Sequence, residues 1–244
     1  MPTATRLLYQ NLVQVDSGPL SVHIVSESNL NEEQDQLRLM LERNEGRALG
    51  LSGAYSSTGE LAMLAVADTY TIIIIEFESK KSKGNGHDGR SVTPVAAADN
   101  TAARQFLTDN LLRRSTGFLY AFDIAPLALA LFQTLGLHIA NAIDMQSAGP
   151  SNTRAPLTTI KRAIGDLHHV YDDNIRQNFT IDTIDPDVPA NRYTTPLALR
   201  AWIAHFLSQL AFLEDRLAQV APVDTFRLTD DVSPLLACLC ERHH

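Results

Sequence analysis

Apolar and polar positions alternate over Leu12 to Val15 and again over Leu20 to Val25, on either side of Asp16-Ser17-Gly18-Pro19. Alternation flanking a turn-forming cluster predicts a strand, a turn and a strand. The period then changes. Leu37, Met40 and Leu41 recur at helical spacing after the capping candidates Ser28 and Asn29, and Gly46 supplies a stop, which predicts a helix over 31–43. A short buried strand follows at Ala48 to Leu51. Leu61 to Ala67 and Tyr70 to Phe77 are two apolar, partly β-branched runs around Asp68-Thr69, the pattern of a hairpin whose second strand is central to a sheet.

The segment Glu78 to Asn100 carries Lys80, Lys81, Lys83, Arg90 and three glycines with neither period, and is read as a mobile loop. Thr101 to Arg113 is expected to be helical, Gly117 to Phe122 a strand, and Pro126 to Leu135 a helix with proline in its first turn, where a missing N–H is harmless. His138 to Ile143 gives another strand. From Leu157 the pattern is helical, broken by the acidic, proline-bearing stretch Asp182 to Pro189 and resumed as a long helix from Pro196 to about Val220. This order predicts one α/β domain over 1–244: a mixed sheet flanked by helices, a core of about 10–220 and a helical C-terminal end in 221–244.

Composition narrows the function. The 244 residues are 45% hydrophobic and 20% charged, so the chain can bury a sizeable core and a disordered chain is excluded. Lys+Arg number 20 against 28 Asp+Glu, a net charge of -8, which argues against tight, sequence-blind binding to phosphates. Apolar stretches such as Phe118 to Leu137 are interrupted by Asp123 or Gly and Pro, so no membrane span is expected. Met1 to Leu8 lacks an apolar signal core and only two cysteines occur, so the expected location is intracellular, cytoplasmic or nuclear.

The order of motifs is more specific than the periodicity. Arg47 to Ala54, Gly59 to Val66 and the Ile72 to Phe77 strand are followed by Phe118 to Leu127, with Asp123 ending a strand and Leu127 four residues on. Leu135-Gly136-Leu137 and Asn141-Ala142-Ile143-Asp144-Met145-Gln146 come next, and Thr195 to Arg200 leads a helix. Over roughly residues 10–220 this resembles the RNase D-like branch of the DEDD 3'-5' exonucleases, a ribonuclease H-like fold. The resemblance implies an Asp-x-Glu strand end, a second strand-ending Asp, an Asp-Thr-Gln signature, and an Arg-Pro-Leu segment followed by Tyr-x-x-x-Asp. It places Ser52 and Ala54 at the first motif, Asp123 at the second, and Ala204 and Ser208 at the Tyr and Asp of the last.

In that family two divalent cations about 4 Å apart polarise the phosphate and generate the hydroxide nucleophile, which requires converging carboxylates. Of the four matched carboxylate positions, Ser52, Ala54, Asp123 and Ser208, only Asp123 is acidic, and Ala204 lacks the phenol that orients water. The expectation is therefore a nuclease without its metal site or any cofactor, serving as an adaptor for a protein partner or as a homodimer in RNA processing or RNA silencing. Asp123 is read as a helix cap and Asp144 as a turn or cap residue. The alternatives are an active exonuclease using Asp68, Glu76, Asp123 and Asp144, and RNA binding without cleavage through Lys80, Lys81, Lys83 and Arg90.

The remaining constellations have plainer readings. His168-His169 is expected on a solvated helix edge, where adjacent imidazoles diverge by about 100°. Asp182, Asp185 and Asp187 lack the glycine-bearing spacing of a calcium loop and are read as an exposed connection. Cys238, Cys240, His243 and His244 are too closely spaced for a zinc finger and are assigned to a terminal apolar helix, with an added tag as the alternative reading of the histidine doublet. Trp202 is read as core.

Overall fold

In the computed structural model, residues 4–78, 94–148, 155–185, 188 and 191–227 are described. The loop cations Lys80, Lys81, Lys83 and Arg90, Asp187, and the Cys and His groups at 238–244 lie outside them. The strands are β1 (Ala4–Leu8), β2 (Leu20–Ser26), β3 (Leu49–Ser56), β4 (Leu61–Ala67), β5 (Thr71–Glu76), β6 (Leu119–Ala121), β7 (Ala142–Asp144) and β8 (Thr183–Ile184). The helices are α1 (Leu30–Arg43), α2 (Pro94–Leu107), α3 (Ile124–Ala130), α4 (Pro156–Ile164), α5 (Asp172–Thr180), α6 (Asn191–Ser208) and α7 (Ala211–Leu217). Widened π turns extend α2 through Thr108–Leu112 and α3 through Leu131–Leu135.

The strands form one mixed sheet in the order β1-β2-β5-β4-β3-β6-β7, with β8 paired to β3 off that path. The expected hairpin β4–β5 is present, antiparallel, with Ala67 opposite Ile72. β5 pairs in parallel with β2 on its other side, so Ile72 to Ile75 are buried on both faces and can be uniformly apolar. Alternate residues feed two cores. One face, with Ala54, Ala65, Ile72 and Ile74, packs on Leu197, Trp202 and Ile203 of α6. The other, with Leu49, Leu51, Leu64 and Ile73, packs on Leu37 and Met40 of α1, Leu107 of α2 and Leu127 of α3.

Several expected boundaries differ, each for a local reason. Leu12 to Val15 is not a strand: the Gln10 side chain accepts from the Leu12 and Val13 N–H groups and donates to the Val13 carbonyl, folding the segment around itself. The hairpin partner of β2 is β1. Residues 94–100, assigned to a loop, belong to α2, which starts at a proline as helices tolerate. β7 is shorter than expected because Ile139 bonds Thr225 instead of a strand, and Val223 exchanges two backbone bonds with Ala142, strapping 223–225 along the outer side of β7. His168 and His169 lie in the turn after α4, where the His169 carbonyl accepts from Gln14. The long last helix is two, α6 ending at Ser208 and α7 beginning at Ala211, and α6 starts before Pro196.

α6 sits so close to β3 that Gly50 admits no side chain: a Cβ there would lie 1.9 Å from the Ala201 carbonyl oxygen and 2.7 Å from the His205 nitrogen. Gly50→Ala should therefore destabilise the fold by about 3 kcal/mol or more. Gly136→Ala, at a left-handed helix end with open space around it, should cost only about 1 kcal/mol. Urea denaturation of the two variants tests the difference.

Buried His205 provides a second test. Its Nδ1 lies 3.2 Å from the Ala48 carbonyl and therefore donates, leaving Nε2, 3.1 Å from Thr69 Oγ1, to accept. Burial lowers its pKa below 6.5, against the opposing pull of Asp68. The unfolded chain thus binds the proton at higher pH than the folded one. Stability should be level above pH 6.5 and fall as pH drops from 6.5 through the lowered folded value. His205→Gln should flatten part of that decline in urea titrations at about pH 7.5 and pH 5.

Candidate functional site

The sheet forks at β3. Through Leu49–Leu51 this strand pairs with β6, and through Tyr55–Ser56 with β8, so its middle, Ser52 to Ala54, faces a gap between two neighbours. β6 ends at Ala121, and the chain turns into α3 through Asp123, whose backbone is left-handed at φ 56°, ψ 52°. Asp tolerates that region better than most residues, though strain of about 1 kcal/mol or more remains. Asp123 occupies the expected cap position but makes no side-chain capping bond to α3. The fork opens into a cavity of about 140 Å³ whose walls include Ser52, Tyr55, Phe122, Asp123, Asp182 and Arg200. Phe122 and Phe179 meet edge to face at 4.9 Å on its apolar side.

Arg200 of α6 dominates this site. It is 6% exposed, and its guanidinium donates to Ser52 Oγ at 3.0 Å, the Gly53 carbonyl at 3.0 Å, the Ile181 carbonyl at 2.7 Å and the Asn178 carbonyl at 3.4 Å. Burial pulls its pKa down to about 10, while Asp182 and Tyr55 act to raise it. The cation therefore persists at neutral pH. Burial pushes the Tyr55 phenol up to about 12; Arg200 opposes the shift, and Asp182 and Asp123 add to it. Tyr55 is accordingly a neutral hydroxyl.

Of the residues singled out from sequence, the fold brings Ser52 and Asp123 into one cavity. Ala54 shares the sheet face of Ser52 but is buried in the core. Ala204 and Ser208 are not brought to them. α6 runs past β3 with Arg200 against Ser52 and Gly53 and with Ala201 to His205 against Gly50, so Ala204 and Ser208 lie one and two turns beyond, about 6 and 12 Å along the axis. Ala204 is fully buried, and Ser208 donates to the His205 carbonyl of its own helix. The helix position facing the first motif is Arg200.

The alternative ligands are dispersed. Asp68 caps the β4–β5 turn by accepting from the Tyr70 and Thr71 N–H groups and from Asn44. Glu76 is two strands from Ala54, across Met63. Asp144 closes a turn by accepting from Gln146 N–H and the Ser147 hydroxyl, as expected for a turn residue. Among the described residues no group of three His, Cys, Asp or Glu could hold a metal ion. The metal pair implied by the resemblance does not fit this donor set: two carboxylates, Asp123 and Asp182, share the cavity with a guanidinium already buried there.

Asp182 and Arg200 were missed as site residues. Asp182 stands in a proline-flanked acidic stretch that looks like a linker, but its carbonyl accepts from Tyr55 N–H and draws β8 onto β3. Arg200 did carry a signal, being a lone cation in the apolar run Pro196 to Leu207. A charge in a helix buried on all sides needs acceptors.

Solved structures share this architecture. The EXO domain of Aedes aegypti Nibbler matches with a TM-score of 0.53 at 12% identity, over 86% of this chain and 93% of that one. A mutant of the catalytic core of RRP6 from Trypanosoma brucei is 16% identical, with a TM-score of 0.46, over 81% of this chain and 50% of that one. Escherichia coli RNase D, an exoribonuclease involved in structured RNA processing, is 12% identical, with a TM-score of 0.48, over 75% of this chain and 43% of that one. The chain thus spans half or less of the RRP6 and RNase D structures it matches. No protein-family model and no curated protein matches the chain. The fold is that of RNase D-like 3'-5' exonuclease domains, a ribonuclease H-like mixed sheet flanked by helices.

Removing the Arg200 cation should unseat the fork. Arg200→Met leaves the Gly53, Ile181 and Asn178 carbonyls without their donor and should cost about 2–4 kcal/mol in urea denaturation. Arg200→Lys keeps the charge but not the planar fork of donors, and should recover less than half of that loss.

Proposed function

We propose that this protein is a catalytically inactive member of the exonuclease-like fold that acts as a protein-interaction adaptor in an RNA-processing or RNA-silencing assembly. The observation carrying the first half is Arg200: a buried guanidinium bonded to Ser52 and Gly53 in the cavity that also holds Asp123. A dication placed beside it would meet like charge in a poorly solvated site and find only Asp123 and Asp182 as carboxylate ligands. Without metal there is neither a hydroxide nucleophile nor a Lewis acid for the phosphate.

The adaptor half rests on charge and surface. A net charge of -8 weakens sequence-blind attraction to RNA, so a protein partner, or a second copy of the chain, fits better than a nucleic-acid ligand. Leu129 and Phe132 on the α3 side are about half exposed, as is Phe118, and supply apolar surface. The RNA context comes from the fold and is an argument by analogy.

Incubation with end-labelled single-stranded RNA and Mg²⁺ or Mn²⁺ should leave the RNA at full length, and millimolar metal should leave the melting temperature unchanged. Laddered 3' shortening that disappears in Asp123→Ala would overturn the inactive reading. For the adaptor role, capture from the native cell should recover a protein partner, or light scattering at about 50 μM should give a dimer mass. A strict monomer with no recovered partner would reject it.

A further inference from the structure

The charges around the cavity at the fork of β3 do not balance. Asp123 and Asp182 line it with Arg200, so two carboxylates face one guanidinium and a single negative charge is left over. Arg200 is buried and directs its N–H groups to the oxygens of Ser52, Gly53, Asn178 and Ile181, none of them a carboxylate. Asp123 and Asp182, by contrast, are exposed and open to a ligand. Asp182 Oδ1 accepts from the Thr183 hydroxyl at 3.1 Å, a neutral donor that leaves the charge in place. Both carboxylates act on the Tyr55 phenol and push its pKa up, so their fields overlap within the same cavity.

Size and wall chemistry limit what can answer that charge. A space of about 140 Å³ is near the roughly 150 Å³ that accommodates a benzene molecule, so one side chain fits and a nucleotide does not. Half-buried Phe122 and Phe179 meet at 77° and 4.9 Å, an aromatic corner that suits an alkyl stem and attracts a cation. An anionic group would meet Asp123 and Asp182. A dication would overshoot the single excess charge beside Arg200. One ammonium on an alkyl stem brings the cavity to neutrality and offers three N–H donors to the two carboxylates.

We propose that this cavity receives one lysine side chain of the protein partner, its stem against Phe122 and Phe179 and its ammonium toward Asp123 and Asp182. The inference rests on the adaptor reading and names the chemistry by which the partner is held.

Thermal melts of the full chain with Nα-acetyl-L-lysine methylamide at about 10 mM test the site, with the norleucine analogue, which has the stem without the ammonium, as the control. The lysine compound should raise the melting temperature by about 2 °C or more, and the norleucine compound should not. Asp123→Asn and Asp182→Asn each remove one charge and keep the backbone: asparagine tolerates the left-handed region at position 123, and the carbonyl at position 182 still accepts from Tyr55. Each should weaken the lysine dependence at least fivefold. No shift with the lysine compound, an equal shift with the norleucine compound, or a shift unchanged in both variants would overturn the proposal. The measurement needs no partner, which keeps the two readings separable. A captured partner that both variants still bind equally well would overturn the cavity's role and leave the adaptor reading standing. A lysine shift from a strict monomer with no recovered partner would reject the adaptor reading and leave the cavity's chemistry standing.

Discussion

Burying a guanidinium among neutral partners is tolerable only if nearly every N–H finds an oxygen. Arg200 meets that condition with acceptors from three separate places: Ser52 and Gly53 in the middle of β3, Asn178 within α5, and Ile181 just before β8. The consequence runs outward from the site. Because the Ile181 carbonyl is held, the chain is positioned for Asp182 to accept from Tyr55 and for β8 to join the sheet. Because the Gly53 carbonyl is held, β3 can leave β6 without an unpaired acceptor at the fork. One side chain thus ties the helix layer, the sheet and the acidic connection together.

The sheet was legible from sequence where both faces are buried. Leu61 to Ala67 and Thr71 to Glu76 are near-continuous apolar runs, and no other local structure competes for them. α1 was legible for the complementary reason, having one apolar stripe and a clear stop. The errors fall where a side chain or a distant segment takes over backbone hydrogen bonding: Gln10 in the first loop, Thr225 beside Ile139, and the close approach of α6 that carries Arg200, not Ser208, to Ser52. Such partners lie far apart in the chain or depend on one atom's position, and periodicity holds no record of either.

The candidate site was half legible. Motif order placed Ser52 and Asp123 in one cavity, because Ser52 lies in β3 and Asp123 just past the end of the neighbouring β6, so the sheet sets both positions. On the helix side the structure sets Arg200 against Ser52, a contact that motif spacing does not encode. Asp123 and Asp182 share their cavity with a guanidinium fixed to the fold, and a fixed cation offsets nearby carboxylates as a soluble one would.

The strap of residues 223–225 along β7 has its own effect on how this molecule meets others. An open sheet has two outer strands, each with a row of backbone donors and acceptors that a foreign strand can copy. By bonding Ala142 and Ile139, Val223 and Thr225 occupy the row at one end, while β1 at the other end pairs only with β2 among the described residues. A strand from another chain can therefore pair with the start of β7 only by displacing residues 223–225.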